Sequence, residues 1–112
     1  MIREAQKQMT VLGKTITARV THTDCGIQLL LAGGDRSHIG AVAVADEAGK
    51  VTVQTFPGHR ETEIAQRYAE AFYERYRVPV VASVGIHYDN ITKQQITEIV
   101  AAAETVLEEL LQ

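Results

Sequence analysis

The chain has 112 residues, of which 46% are hydrophobic and 22% are charged, a composition typical of soluble globular domains. Its formal net charge is −3 and it has no cluster of Lys and Arg, which argues against nucleic acid as the main partner. No apolar run approaches the roughly 18 residues of a membrane-spanning helix, and the length predicts a single domain over residues 1–112. Cys25 is the only cysteine, so no internal disulfide can form, and we expect a reduced, cytoplasmic protein.

The first half of the chain predicts four β-strands. Residues 15–21 and 51–56 alternate between apolar and polar side chains, as half-buried strands do. Residues 27–32 and 39–45 are short apolar runs, and turn-forming residues separate all four segments. Four consecutive strands joined by short turns predict an antiparallel meander.

The second half of the chain changes to a helical period. Residues 61–77 carry an apolar or aromatic side chain at every fourth position from Ile64, which predicts a helix that ends before Pro79. Residues 80–86 read as a buried strand, and because a helix precedes them we expect this strand to run in the same direction as the fourth. The fold class is therefore α+β, with the order β-β-β-β-α-β-α and the helices packed on the sheet.

A capping box predicts where the second helix begins. Thr92 and Gln95 have the spacing at which each side chain bonds the backbone of the other. Apolar residues recur at helical spacing after this point and predict one buried stripe. The stripe comprises Ile96, Ile99, Val100, Ala103, Leu107 and Leu110.

Three of the four histidines lie beside glycines at strand ends. His38 begins the third strand, His59 follows the fourth, and His87 follows the fifth. Since strand direction alternates along the meander and the helical crossover preserves direction, we expect all three at one edge of the sheet. His22 lies in the first turn and belongs at the opposite edge.

The same edge is expected to hold the N-termini of both helices, where unpaired backbone N–H groups attract anions. Arg36 and Arg60 lie in the same segments, and Asp89 and Asn90 can orient His87 or cap the second helix. These groups suit a phosphate or another acidic ligand.

Two other interpretations of the residues remain open. Three histidines with an open coordination position fit a small zinc enzyme, with His38, His59 and His87 as metal ligands, although the sequence has neither HExxH nor CxxC. A protein-assembly module that binds no ligand is the other alternative.

Three motifs together resemble a known family. They are Gly-Gly-x-x-x-His-Ile-Gly-Ala-Val-Ala at 33–43, Pro-Gly-His-x-Glu at 57–61 and Gly-Ile-His-x-Asp-Asn at 85–90. In this order they resemble the family of the D subunit of gallate decarboxylase, the prenylated-flavin chaperone-like (LpdD-like) proteins. The resemblance covers most of the chain, roughly from the second strand to the last helix.

The resemblance implies a fold related to the homodimeric proteasome-assembly chaperones. It implies a non-enzymatic protein that binds prenylated FMN and carries or matures it for a UbiD-type decarboxylase. The implied partners are that decarboxylase, a flavin prenyltransferase and a second copy of the chain, and no metal is expected. The cofactor-binding candidates are Gly34, His38, Gly40, Gly58, His59, His87 and Asp89.

Overall fold

The computed structural model describes residues 1–56 and 61–112, so residues 57–60 lie outside the description. Within the two described ranges the chain forms six strands and two helices. In chain order these are β1 (Arg3–Val11), β2 (Lys14–His22), β3 (Ile27–Gly34), β4 (Arg36–Ala45), β5 (Val51–Thr55), α1 (Thr62–Tyr76), β6 (Val80–His87) and α2 (Lys93–Leu110).

All six strands join one mixed sheet in the order β1-β2-β3-β6-β4-β5. The α+β class is confirmed, but the predicted meander is wrong because β6 lies between β3 and β4. β3 pairs with β6 in parallel, and β4 pairs with both β6 and β5 in antiparallel fashion. β6 therefore runs in the same direction as β5, as expected, although β4 separates them.

The central position of β6 follows from its composition. Val80, Ala82 and Val84 are completely buried, and a strand this apolar is most stable with a neighbour on each side. Strands β3 and β4 are consecutive in the chain, yet the link between them passes around the end of β6. There the Asp35 N–H donates to the carbonyl of His87 over 2.7 Å. The start of β4 is thereby brought beside His87.

Strand β1 was not predicted, because its side chains are mostly polar and all of its residues except Met9 and Val11 are exposed. It is an edge strand, and charged or amide side chains there discourage pairing with other molecules. A two-residue turn at Leu12 and Gly13, both with positive φ, joins it to β2. That turn favours a tight hairpin and is the sequence signal for the extra strand.

Both helices pack on one face of the sheet. Tyr68 and Phe72 of α1 are fully buried there, together with Ile99 and Leu107 of α2. The predicted Thr92–Gln95 capping box is confirmed at the start of α2. No helix within the described ranges is long and apolar enough to cross a membrane.

The predicted buried stripe of α2 is only partly correct. Ile99, Ala103 and Leu107 are buried, whereas Ile96 and Val100 are 37% and 48% exposed. Helical periodicity gives the face of a helix that turns toward the protein, but it does not say whether another element covers every turn of that face.

Candidate ligand-binding site at the sheet edge

One edge of the sheet collects the end of β3, the start of β4, the end of β6 and the starts of both helices. His38 and His87 meet here, with ring centroids 5.9 Å apart. The expectation that these two histidines share an edge is therefore correct. His59 lies outside the described residues, and His22 packs against Tyr76 at the opposite edge with centroids 5.0 Å apart.

A buried carboxylate stands beside His38. Glu61, the residue that precedes α1, places Oε1 3.0 Å from His38 Nε2, and the two side chains are only 8% and 21% exposed. Among the residues that the structure describes, Glu61 is the one charged residue that is buried. Its second oxygen, Oε2, is buried and has no hydrogen-bond partner among them. An acceptor of this kind is costly to leave unsatisfied, so it is available to a donor beyond the described residues.

A hydrogen-bond donor, Arg36, and an acceptor, Asp89, both lie within hydrogen-bond distance of the same nitrogen of His87. Asp89 Oδ1 lies 2.9 Å from His87 Nε2, and an Arg36 guanidinium nitrogen lies 3.3 Å from the same atom. Arginine only donates and an ionised carboxylate only accepts, so a single Nε2 cannot satisfy both. When Nε2 carries a proton it bonds Asp89, and the exposed Arg36 guanidinium is then available to an anion.

Asp35 fixes the segment that carries Asp89. Its Oδ2 accepts a hydrogen bond from the Asp89 backbone N–H over 2.8 Å, and its Oδ1 lies 3.7 Å from Lys14 Nζ. The sequence interpretation missed both this role and the pairing of Glu61 with His38. Glu61 belongs to the second motif of the resemblance, and no local pattern in the sequence links it to His38.

The glycines at this edge allow backbones to approach closely. Gly34 has a φ of +90°, and a Cβ there would strike the carbonyl of His87. Gly85 allows the His38 carbonyl to press against β6, where β4 shifts register between Ser37 and Ala41. Gly40 lies in that irregular stretch, is buried, and accepts a hydrogen bond from the Phe56 N–H. Gly58 lies outside the described residues.

Tyr88 supports the edge from inside the fold. It is 8% exposed, and its hydroxyl donates to the carbonyl of Val11 over 2.6 Å. Burial raises the pKa of this phenol, and the nearby Asp35 carboxylate adds to the rise. The bonded hydroxyl links the end of β1 to the residue that follows β6.

A groove opens beside the histidines between α1 and α2, with a volume of about 400 Å³. We call it the α1–α2 groove. Its polar residues come from the sheet edge and the segments next to it, and its apolar residues from the end of β6, the segment before α2 and the first two turns of the helices. The lining comprises Glu61, Ile64, Ile86, His87, Tyr88, Asn90, Ile91, Ile96, Ile99 and Val100.

No cluster of three or more His, Cys, Asp or Glu placed to hold a metal occurs within residues 1–56 and 61–112. The zinc alternative also needed His59, which falls outside those ranges. His38 pairs with Glu61, and His87 pairs with Asp89.

Comparison with known proteins identifies the family. The model of the prenylated flavin chaperone LpdD-like domain matches residues 10–112. The chain belongs to this family. The resemblance drawn from the three motifs is therefore confirmed, and the matched range contains all three motifs. No curated protein matches the sequence.

The fold has a relative among solved structures. A chain from the crystal structure of a novel chaperone complex for yeast 20S proteasome assembly superposes with a TM-score of 0.63. The alignment covers 97% of this chain and 94% of that one, at 12% sequence identity. At this identity the likeness concerns the fold alone, and the expected resemblance in fold to a proteasome-assembly chaperone is confirmed.

Proposed function

We propose that this chain binds prenylated FMN at the sheet edge and carries or matures it for a UbiD-type decarboxylase, without catalysing a reaction itself. Family membership supports the flavin and the chaperone role. The observation that carries the proposal is the buried Glu61 carboxylate beside His38, with one oxygen left for an external donor. A flavin supplies such donors in its ring N–H and ribityl O–H groups.

The donor and acceptor set at the edge fits the rest of such a ligand. The Arg36 guanidinium is exposed and is the described cation closest to His87, so it suits the phosphate. The imidazoles of His38 and His87 can donate or accept according to tautomer, and Asp89 orients the second of them. Gly34 and Gly40 keep the strand ends free of side chains, and Gly58 and His59 remain predicted contacts.

The test is the mass and spectrum of the protein purified anaerobically after co-expression with a flavin prenyltransferase. We expect bound prenylated FMN in the wild type and its loss in the His38→Ala variant. The matched control is His22→Ala, which removes a histidine from the opposite edge and should leave the flavin bound. A wild-type preparation without flavin would contradict the proposal and favour a protein-assembly module that binds no ligand.

The carboxylate gives a second, more graded test. Glu61→Gln keeps the size of the side chain and removes its charge, so a hydrogen bond to an ionised acceptor becomes a neutral one. We expect the affinity for prenylated FMN to fall about tenfold or more.

Cofactor transfer is tested separately. Mixing the loaded wild-type protein with a UbiD-type decarboxylase that lacks cofactor should yield active enzyme, and the loaded chaperone alone should remain inactive.

We propose that the chain is a homodimer in the cytoplasm. The helices cover one face of the sheet, and on the other face Leu30, Val44 and Val81 are 36–38% exposed. Val44 and Val81 lie directly opposite each other on β4 and β6, in the middle of the sheet. A central apolar patch of this kind is typical of an interface between subunits.

The proposed location in the cytoplasm rests on the cysteine content. The sequence has a single cysteine, Cys25, which supports a reducing compartment.

Light scattering after size exclusion tests the dimer. We expect twice the chain mass of 12.3 kDa for the wild type and a shift toward one chain mass for Val81→Lys. The control is Ala101→Lys, which adds the same charge on an exposed position of α2 and should leave the mass unchanged. A wild-type mass of 12.3 kDa would rule out the homodimer.

A further inference from the structure

The α1–α2 groove contains the feature that the sequence did not predict, namely two branched apolar side chains left uncovered on the inner side of a helix. Ile96 and Val100 are one turn apart, and both line the groove together with the buried Ile99. Exposed aliphatic side chains that line a concave surface are typical of ligand pockets. The volume of about 400 Å³ falls in the usual range for small-molecule sites.

Side-chain contacts join the two helices on the side of the groove away from the helix N-termini. The Tyr68 hydroxyl donates to the Ala103 carbonyl over 2.5 Å, and Arg67 makes two hydrogen bonds to Glu104. These contacts join α1 and α2 beyond their first turns. The groove-lining residues Ile64 and Val100 lie about one helical turn before the residues that make these contacts, and so nearer to the helix N-termini.

The polar end of the groove is continuous with the histidine site. Glu61 and His87 line the groove and also form the pairs with His38 and Asp89. A ligand held by these groups through polar atoms would therefore extend an apolar part between the helices. Prenylated FMN has this character, because it carries a branched hydrocarbon unit that FMN lacks.

We propose that the α1–α2 groove receives the prenyl-derived part of the flavin and thereby distinguishes prenylated FMN from FMN. Ile96 and Val100 are the specificity-determining residues, since covering them with hydrocarbon removes apolar surface from water on both sides. The assignment rests on the proposed function and adds to it the basis of ligand choice.

The experiment is an anaerobic titration of purified protein with prenylated FMN and, separately, with FMN. The wild type should bind prenylated FMN about tenfold or more tightly than FMN, the usual discrimination of a hydrophobic pocket for added hydrocarbon. In the double variant Ile96→Thr, Val100→Thr this preference should disappear through weaker binding of prenylated FMN, with FMN affinity unchanged. Both positions are exposed, so the variant should fold.

Ala101→Thr is the matched control, because it places the same residue type on an exposed position of the same helix and outside the groove. It should keep the preference of the wild type. Equal affinities for the two flavins in the wild type, or a preference that survives in the double variant, would overturn the groove assignment and leave the proposed function standing. Failure to bind either flavin would overturn the proposed function and this assignment together.

Discussion

The closest backbone approach in the site makes Gly85 a sensitive position. A Cβ on Gly85 would fall on the carbonyl of His38 and would lie 2.8 Å from the Ile39 nitrogen. Both neighbours are backbone atoms, so they can make room only if β4 moves away from β6. Gly85→Ala should therefore destabilise the fold and displace His38 in the same step.

The size of the effect follows from the cost of overpacking. Forcing an extra methyl group into a packed interior typically costs about 1–3 kcal/mol. For a domain of this size each 1 kcal/mol lowers the melting temperature by roughly 4–8 °C. We expect Gly85→Ala to melt about 4–24 °C below the wild type, and its affinity for prenylated FMN to fall because the His38–Glu61 pair is disturbed.

The measurement is urea and thermal unfolding followed by circular dichroism, with Gly26→Ala as the matched control. A Cβ on Gly26 would meet its nearest atoms at 3.5 and 3.6 Å, which are ordinary contacts. This control should stay within about 0.5 kcal/mol of the wild type. Equal stability of the two variants would refute the close approach of β4 to β6 at His38.

Three further predictions concern residues outside the site. Thr92→Ala removes the capping box of α2 and should lower the free energy of unfolding by about 0.5–2 kcal/mol in urea titrations. A loss no larger than that of an exposed mid-helix substitution would contradict it. Tyr68→Phe deletes the hydroxyl that bonds the Ala103 carbonyl and should cost about 0.5–1.5 kcal/mol by the same assay. No measurable loss would mean that this bond does not join the helices. Burial lowers the pKa of His22, and the nearby Arg3 lowers it further, so an NMR titration should give a midpoint below 6.5. Because the folded state disfavours the charged imidazole, the free energy of unfolding should fall as the pH drops from 6.5 toward that midpoint. His22→Gln should reduce this pH dependence.

Local sequence determined the strand directions, and with them one part of the site. The approximate positions of the five predicted strands follow from nearby turn residues, and direction follows from connectivity. His38 and His87 could therefore be placed at one edge even with the wrong strand order. The capping box of α2 was likewise predictable, because its bonds join Thr92 and Gln95, only three residues apart.

Features that depend on contacts between residues far apart in the chain could be seen only in the tertiary structure. The insertion of β6 between β3 and β4 results from competition among strands for the central place, and no local pattern records that outcome. The 3.0 Å approach of Glu61 to His38 depends on tertiary packing too, because it joins the start of α1 to β4, two elements that are separated in the chain. The same holds for Ile96 and Val100. Helical periodicity predicted that both side chains lie on the inner face of α2. The packing of α1 against α2 determined that they line a groove and are not part of the core.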